Sequence, residues 1–277
     1  LAFLNNARNT SSWSPLITRL VYNRPVYFFS KTLTNYLGYL SPGFLFIHGG
    51  TQYQYSLPKW GVMQIADLPF FYLGIVGALS SAPMLVWWLI TSPLPAAITA
   101  DKFAVVRATT MIPAVYLLTA SGLTKSWKRF GRWYCLAFLV FTTIYLSKYF
   151  GSYPIQYSSS WQYGYRQVVD YVKANYDHYD EIIFTKKYGE PHEFVAYYWP
   201  WDPASFQKNS VWDYHTNWYW VNKLDKIKFV NDWEMKSVVL KPKTLIISSP
   251  ENETTGNEIK KVNFLDGKTA FIIKEQL

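Results

Sequence analysis

Acidic side chains are nearly missing from the first half of this 277-residue sequence. Residues 1–150 hold only Asp67 and Asp101 against twelve Lys and Arg, whereas residues 151–277 hold 15 Lys and Arg against 16 Asp and Glu. The halves carry +10 and −1, which accounts for the overall +9. Such a break in composition near Gly151 marks a domain boundary. The basic excess belongs to an apolar half, not to one soluble face, and this argues against nucleic acid as a partner. Cysteine is almost as scarce. Cys135 stands alone, which excludes an internal disulfide framework and a Cys-rich zinc site and leaves a small apolar packing residue. The four histidines, His48, His178, His192 and His215, are scattered, so no metal set is read from them and no cofactor is implied. No G-x-G-x-x-G, P-loop, H-E-x-x-H, G-x-S-x-G or D-x-D motif is present, which removes the common soluble-enzyme signatures. The chain begins at Leu1 without a Met and lacks the parts of a signal peptide. It reads as a fragment or processed product with its amino-terminal part missing.

What is present is apolar and aromatic: half of the residues are hydrophobic and about a fifth are Phe, Trp or Tyr. From Gly61 to Ala100 the only charged side chain is Asp67. A bilayer core takes about 20 apolar residues per helix, so this stretch reads as two spans, near 61–79 and 84–99, with a turn at Ser80–Pro83. A third span is expected over 104–123 and a fourth over 133–150. The fold class expected is therefore an α-helical polytopic membrane domain of about four spans at 61–150, followed by a small α/β soluble domain at 151–277. Residues 1–60, interrupted by Pro15, Pro25, Pro42 and Pro58, read as an outer-face loop with interfacial helices at Leu16–Tyr22 and Val26–Tyr39.

Orientation follows from Lys125, Lys128, Arg129 and Arg132, which fill 124–132 without an acid and mark it as a cytoplasmic loop under the positive-inside rule. Alternation then puts the carboxy-terminal domain on the outer, extracytoplasmic side of the cell membrane. In that domain, Trp161–Tyr176 carries a helical apolar stripe and Pro191–Trp199 reads as a helix. Glu181–Thr185, Ile227–Val230, Thr244–Ser248 and Ala270–Lys274 read as strands, with a turn at Leu265–Lys268. Its many aromatics, among them Trp199, Trp201, Trp212, Trp218 and Trp220, suit either stacking on sugar rings or core and interface packing.

Chemistry is sought among charges and helix breakers at membrane depth. Asp67 is either a functional carboxylate or a paired, hydrated group near the outer boundary. Pro93 and Pro95 break the second span before its end, and an opened helix needs protein or a water-filled cavity around its freed backbone groups. Arg107 follows the Thr99–Asp101 turn. It is a bidentate contact for a phosphate head group, an interfacial anchor, or a partner of Asp101. His48, in the segment Phe44–Gly50, is a further candidate.

The run Leu89–Asp101 (LITSPLPAAITAD), then Arg107 and Met111-Ile112-Pro113, resembles a stretch of bacterial membrane glycosyltransferases of the dolichyl-phosphate-mannose–protein mannosyltransferase type. These are GT-C enzymes related to the aminoarabinose lipid A transferase. Asn35–Phe46 with Gly49-Gly50 and Gln54-Tyr55-Ser56 is similar to the loop before the next span in that family, and Trp161–Tyr165 and Phe184–Gly189 to its outer domain. The resemblance implies transfer of a sugar, with inversion, from a polyprenyl-phosphate carrier to a lipid, glycan or protein acceptor at the outer membrane face. It assigns Arg107 to the donor phosphate, and Asp101, Pro93 and Pro95 to shaping the cavity and its loop. The family's catalytic carboxylate lies far upstream, so no general base is assigned here. Many relatives carry a His three residues before the Arg, where this chain has Ala104. The alternatives from the residues themselves are a non-catalytic anchor presenting an outer α/β binding domain, and half of a transporter. A transporter should carry more intramembrane charges and a repeat, and neither is found.

Overall fold

The computed structural model describes residues 2–99, 101–215, 218–252 and 254–277. The chain divides into two compact units, Leu1–Gly151 and Ser152–Leu277.

The first unit is helical: α1 (Ala2–Thr10), α2 (Pro15–Val21), α3 (Arg24–Tyr39), α4 (Leu68–Ser81), α5 (Pro83–Thr91), α6 (Leu94–Ile98) and α7 (Ile112–Phe150). A π-helical turn at Gly43–His48 and 3-10 turns at Ile65–Asp67 and Val105–Met111 join them. Proline enters α2 to α7 in the first turn of each, where its missing N–H costs nothing and its fixed φ suits the helix.

The expectation of about four membrane spans is corrected by these elements. Among the described residues, one helical stretch, Val105–Gln156, is long and apolar enough to cross a membrane. The first expected span fails because 61–67 is not α-helical, which leaves α4 with 14 residues. At 1.5 Å per residue that is about 21 Å, short of a hydrocarbon core of about 30 Å. The second is cut at Ser92–Pro93 into helices of nine and five residues. The third and fourth are not separate, because 124–132 is not a loop but the middle of the 39-residue α7. That segment has no proline, and its Lys and Arg are good helix formers, so nothing local stops the helix. Positions 125, 128, 129 and 132 then fall along one stripe of α7. The sidedness argument loses the loop on which it rested.

The core of the first unit is the contact of α4 with α7, where two glycines allow backbone to touch backbone. A Cβ on Gly122 would lie 2.0 Å from the Phe70 carbonyl oxygen, and one on Gly74 would lie 1.8 Å from that of Leu118. Small residues at such a crossing let helices approach closely. Ala78, Ala114, Val115 and Leu118 are buried around it.

The second unit is a seven-stranded sheet in the order β2-β3-β4-β1-β5-β7-β6. Its strands are β1 (Glu181–Thr185), β2 (Ser210–His215), β3 (Trp218–Leu224), β4 (Ile227–Val230), β5 (Thr244–Ser248), β6 (Asn257–Asn263) and β7 (Thr269–Gln276). β1 pairs in parallel with β4 and β5, and the remaining pairs are antiparallel. The central strands are covered on both faces, so β1 (EIIFT) and β5 (TLIIS) are apolar without alternation. Ile182, Phe184, Leu245 and Ile247 pack with Val168, Val169 and Val172 of α9 (Tyr165–Ala174) and Val195 of α10 (Pro191–Tyr198). Ile183 and Ile246 face the other way, onto Met235. Two further helices, α8 (Ser152–Gln156) and α11 (Pro203–Asn209), complete the unit.

Candidate functional site

In the first unit the broken helix and the turn after it are tied to their neighbours by side chains. Pro93 stands at the N-cap of α6 and Pro95 in its first turn. Carbonyls around the break find side-chain donors: Tyr36 Oη donates to Ile90 O at 2.9 Å, Thr110 Oγ1 to Ser92 O at 3.3 Å, and Asn35 Nδ2 to Ala97 O at 3.3 Å. The freed backbone is thus satisfied by protein groups.

Residues 101–107 are held at their centre. Phe103 takes a left-handed backbone, φ +56°, a conformation disfavoured for a bulky side chain. Its ring stacks on Phe44 at 5.6 Å, meets Tyr39 edge-on, and lies where Gly38 has no side chain. The buried Ala104 donates its N–H to Tyr39 Oη at 2.9 Å, and Thr51 Oγ1 donates to the Lys102 carbonyl at 2.5 Å. Strain at one residue is therefore held by packing on several sides, as is common at working sites. From this frame Arg107 Nη2 reaches Asp101 Oδ2 at 2.9 Å, with the two side chains 45% and 46% exposed. An ion pair so exposed adds little stability. Its effect is to orient the guanidinium while leaving part of it open.

A cavity of about 360 Å³ has among its lining residues Val105, which opens the 3-10 turn Val105–Met111, and Ile112, which follows it. Trp60, Gln64, Tyr116 and Tyr145 line it as well. Gln64 Nε2 donates to Thr142 Oγ1 at 2.8 Å, while its Oε1 is enclosed without a partner. A buried acceptor without a donor is uncommon in a folded protein.

Asp67 is not part of the Arg107 pair. It is 3% exposed, accepts from Tyr134 Oη at 2.8 Å and from the Gln64 N–H at 3.2 Å, and ties the 3-10 turn to α7. These bonds commit both carboxylate oxygens to structure. His48 is exposed at the end of the π-helical turn. Among the described residues no group of three or more His, Cys, Asp or Glu is placed to hold a metal ion. Sequence reasoning missed Tyr39, Phe103 and Gln64. An Asn or Gln on an apolar segment was the available signal for Gln64, and nothing local distinguishes Phe103. Ala104 is fully buried under Tyr39, so the imidazole that many members of the resembled family carry there would not fit without rearrangement.

In the second unit the carboxyl ends of the parallel strands gather Thr185, Asp232, Ser249 and Asn252. Strand ends at a switch of connection direction are frequent ligand sites. Here Thr185 Oγ1 donates to Asp232 Oδ1 at 2.8 Å, Ser249 Oγ donates to Oδ2 at 3.1 Å, and Asn252 bonds the same oxygen. Lys187 pairs with Glu251. The cluster closes on itself.

Comparison with known proteins finds no matching family model, no similar curated protein and no similar solved structure. The family likeness therefore rests on the sequence motifs alone.

Proposed function

We propose that this chain is the carboxy-terminal portion of an integral membrane glycosyltransferase that moves a sugar from a polyprenyl-phosphate carrier to an acceptor. The observation that carries the reading is the Arg107 guanidinium. It is half-exposed, paired with Asp101, and lies in the turn that follows the strained Phe103, two residues after Val105, which lines a cavity. A permanently charged planar fork so placed suits a phosphate oxygen pair better than an ammonium would. Membrane location is supported by the apolar stretch Val105–Gln156 and by outward-facing Leu73, Val76, Leu79, Met84 and Trp87 on α4 and α5. Large apolar side chains exposed side by side suit contact with lipid or with another protein.

In the reaction the bond from the anomeric carbon to the phosphate oxygen breaks and an acceptor oxygen takes its place. The electron pair leaves with the carrier phosphate, where Arg107 stabilises the added charge in the transition state. The acceptor proton needs a base, and none is assigned in this chain, since Asp67 is bonded to Tyr134 and Gln64.

Arg107→Ala in the full-length protein, reconstituted in lipid with a polyprenyl-phosphate sugar, should lower transfer by about 100-fold or more. Arg107→Lys should recover only part of it, since the charge remains but the fork is lost. Wild-type transfer by the alanine variant would refute the phosphate role, whereas no transfer by the wild-type protein would favour a non-catalytic anchor presenting the second unit.

A further inference from the structure

A second cavity, of about 370 Å³, lies in the second unit between the start of α10 and β3, lined by His192, Glu193, Trp218, Tyr219 and Val221. We propose that it is a carbohydrate-binding site for one residue of a neutral glycan, with the apolar face of the sugar on Trp218 and its hydroxyls on Glu193 and His192.

Four observations point there. The volume falls in the lower part of the ~300–1,000 Å³ range of small-molecule sites. Trp218 is 55% exposed, while Tyr219, next along the strand, packs its ring on Trp212 and Tyr214. Trp218 is also held in place, because its side chain bonds to Glu190. Flat, rigid aromatic faces that lose little entropy on contact suit a pyranose ring. The polar groups suit hydroxyls and not charges. His192 is kept neutral, its pKa pushed down to about 4 by burial and by the Lys186 ammonium, so it offers one donor and one acceptor. Its Nδ1 lies 3.4 Å from Glu190 Oε2, and both atoms are enclosed without a hydrogen bond, so it is the other ring nitrogen that is left to meet a ligand. The Glu190 and Glu193 carboxylates turn anions away, and they make the patch a poor one to press into a bilayer. This assignment is independent of Arg107 and of sugar transfer.

The test is titration of the full chain in phosphatidylcholine nanodiscs, free of sugar-headed detergent, with mannotriose and with chitotriose, read by saturation-transfer NMR and calorimetry. The expected result is saturable binding of at least one trisaccharide. Trp218→Ala should weaken it by about tenfold or more, Glu193→Gln less, and both variants should melt at the wild-type temperature. Trp233→Ala, which removes an exposed tryptophan outside the cavity, should leave binding unchanged. The proposal is overturned if neither trisaccharide binds, or if Trp218→Ala and Trp233→Ala bind alike. It is also overturned if the tryptophan contributes to attachment of the chain to lipid vesicles instead. Transfer activity is read in a separate assay, so failure here leaves the Arg107 reading standing, and the reverse.

Discussion

His192 shows how one residue's surroundings decide its chemistry. Its ring lies between Phe206 and Phe229, at 6.3 and 6.0 Å. A carboxylate 3.4 Å away would ordinarily favour the imidazolium. Burial outweighs it, and the same burial raises the pKa of Glu190. Folded His192 therefore binds fewer protons than the unfolded chain between pH about 4 and its ordinary value. Its contribution to stability is complete above the unfolded histidine value of about 6.5 and is lost as pH falls to about 4. The full effect is on the order of 3 kcal/mol. Glu190 acts with the opposite sign, losing stability as pH rises through its raised pKa, so the net slope is smaller. Histidine ring NMR should place the His192 midpoint near 4, and denaturant unfolding should show less stability at pH 4.5 than at pH 7, a gap narrowed by His192→Phe. A midpoint of 6 or higher would contradict burial as the dominant cause.

At the scale of elements, the α4–α7 crossing holds the first unit together and leaves no room for a single added methyl. Gly122→Ala puts a carbon 2.0 Å from the Phe70 carbonyl oxygen, and the helices must part. Overpacking of this kind costs about 1–3 kcal/mol. The expected outcome is a lower melting temperature for Gly122→Ala in nanodiscs, with a larger drop for Gly122→Leu. An unchanged melt would mean that the crossing is looser than the geometry shows. Much of the element pattern was legible beforehand in the second unit. β1, β4 and β5 coincide with the segments read as strands, and β7 extends the expected Ala270–Lys274 at both ends, because short apolar runs between turns have few other uses. β2 and β3 were missed, since their Trp and Tyr face outward in place of forming a buried alternation. β6 was missed because its burial pattern is almost wholly exposed. In the first unit the apolar runs were visible, but their lengths as helices were not. Pro93 ends one helix as expected, whereas four basic residues do not end another.

For the molecule as a whole, α7 sets the geometry of any membrane association. At about 58 Å it exceeds a hydrocarbon core of about 30 Å, with Lys125, Lys128, Arg129 and Arg132 in its middle. Only its apolar ends can lie in lipid, and the 133–150 end carries the lone, exposed Cys135. In nanodiscs this thiol should resist a water-soluble maleimide and react readily once the lipid is removed with a mild detergent. Fast labelling in both would place that end of α7 in water. The candidate site was legible in part. Arg107, Asp101 and the two prolines were chosen from sequence, and the first two do pair at 2.9 Å. Asp67 was chosen with them but bonds elsewhere.

The sequence alone determined the division near Gly151, the helical character of one side and the sheet of the other, since composition and hydrophobic period are local properties. Whether acids vanish from one half can be counted; where a helix stops cannot. The continuity of α7, the commitment of Asp67 to Tyr134 and Gln64, and the two cavities were decided only in three dimensions. They depend on groups brought together from distant positions, such as Phe44 under Phe103 and Trp218 against Glu190, and no local pattern encodes those pairings.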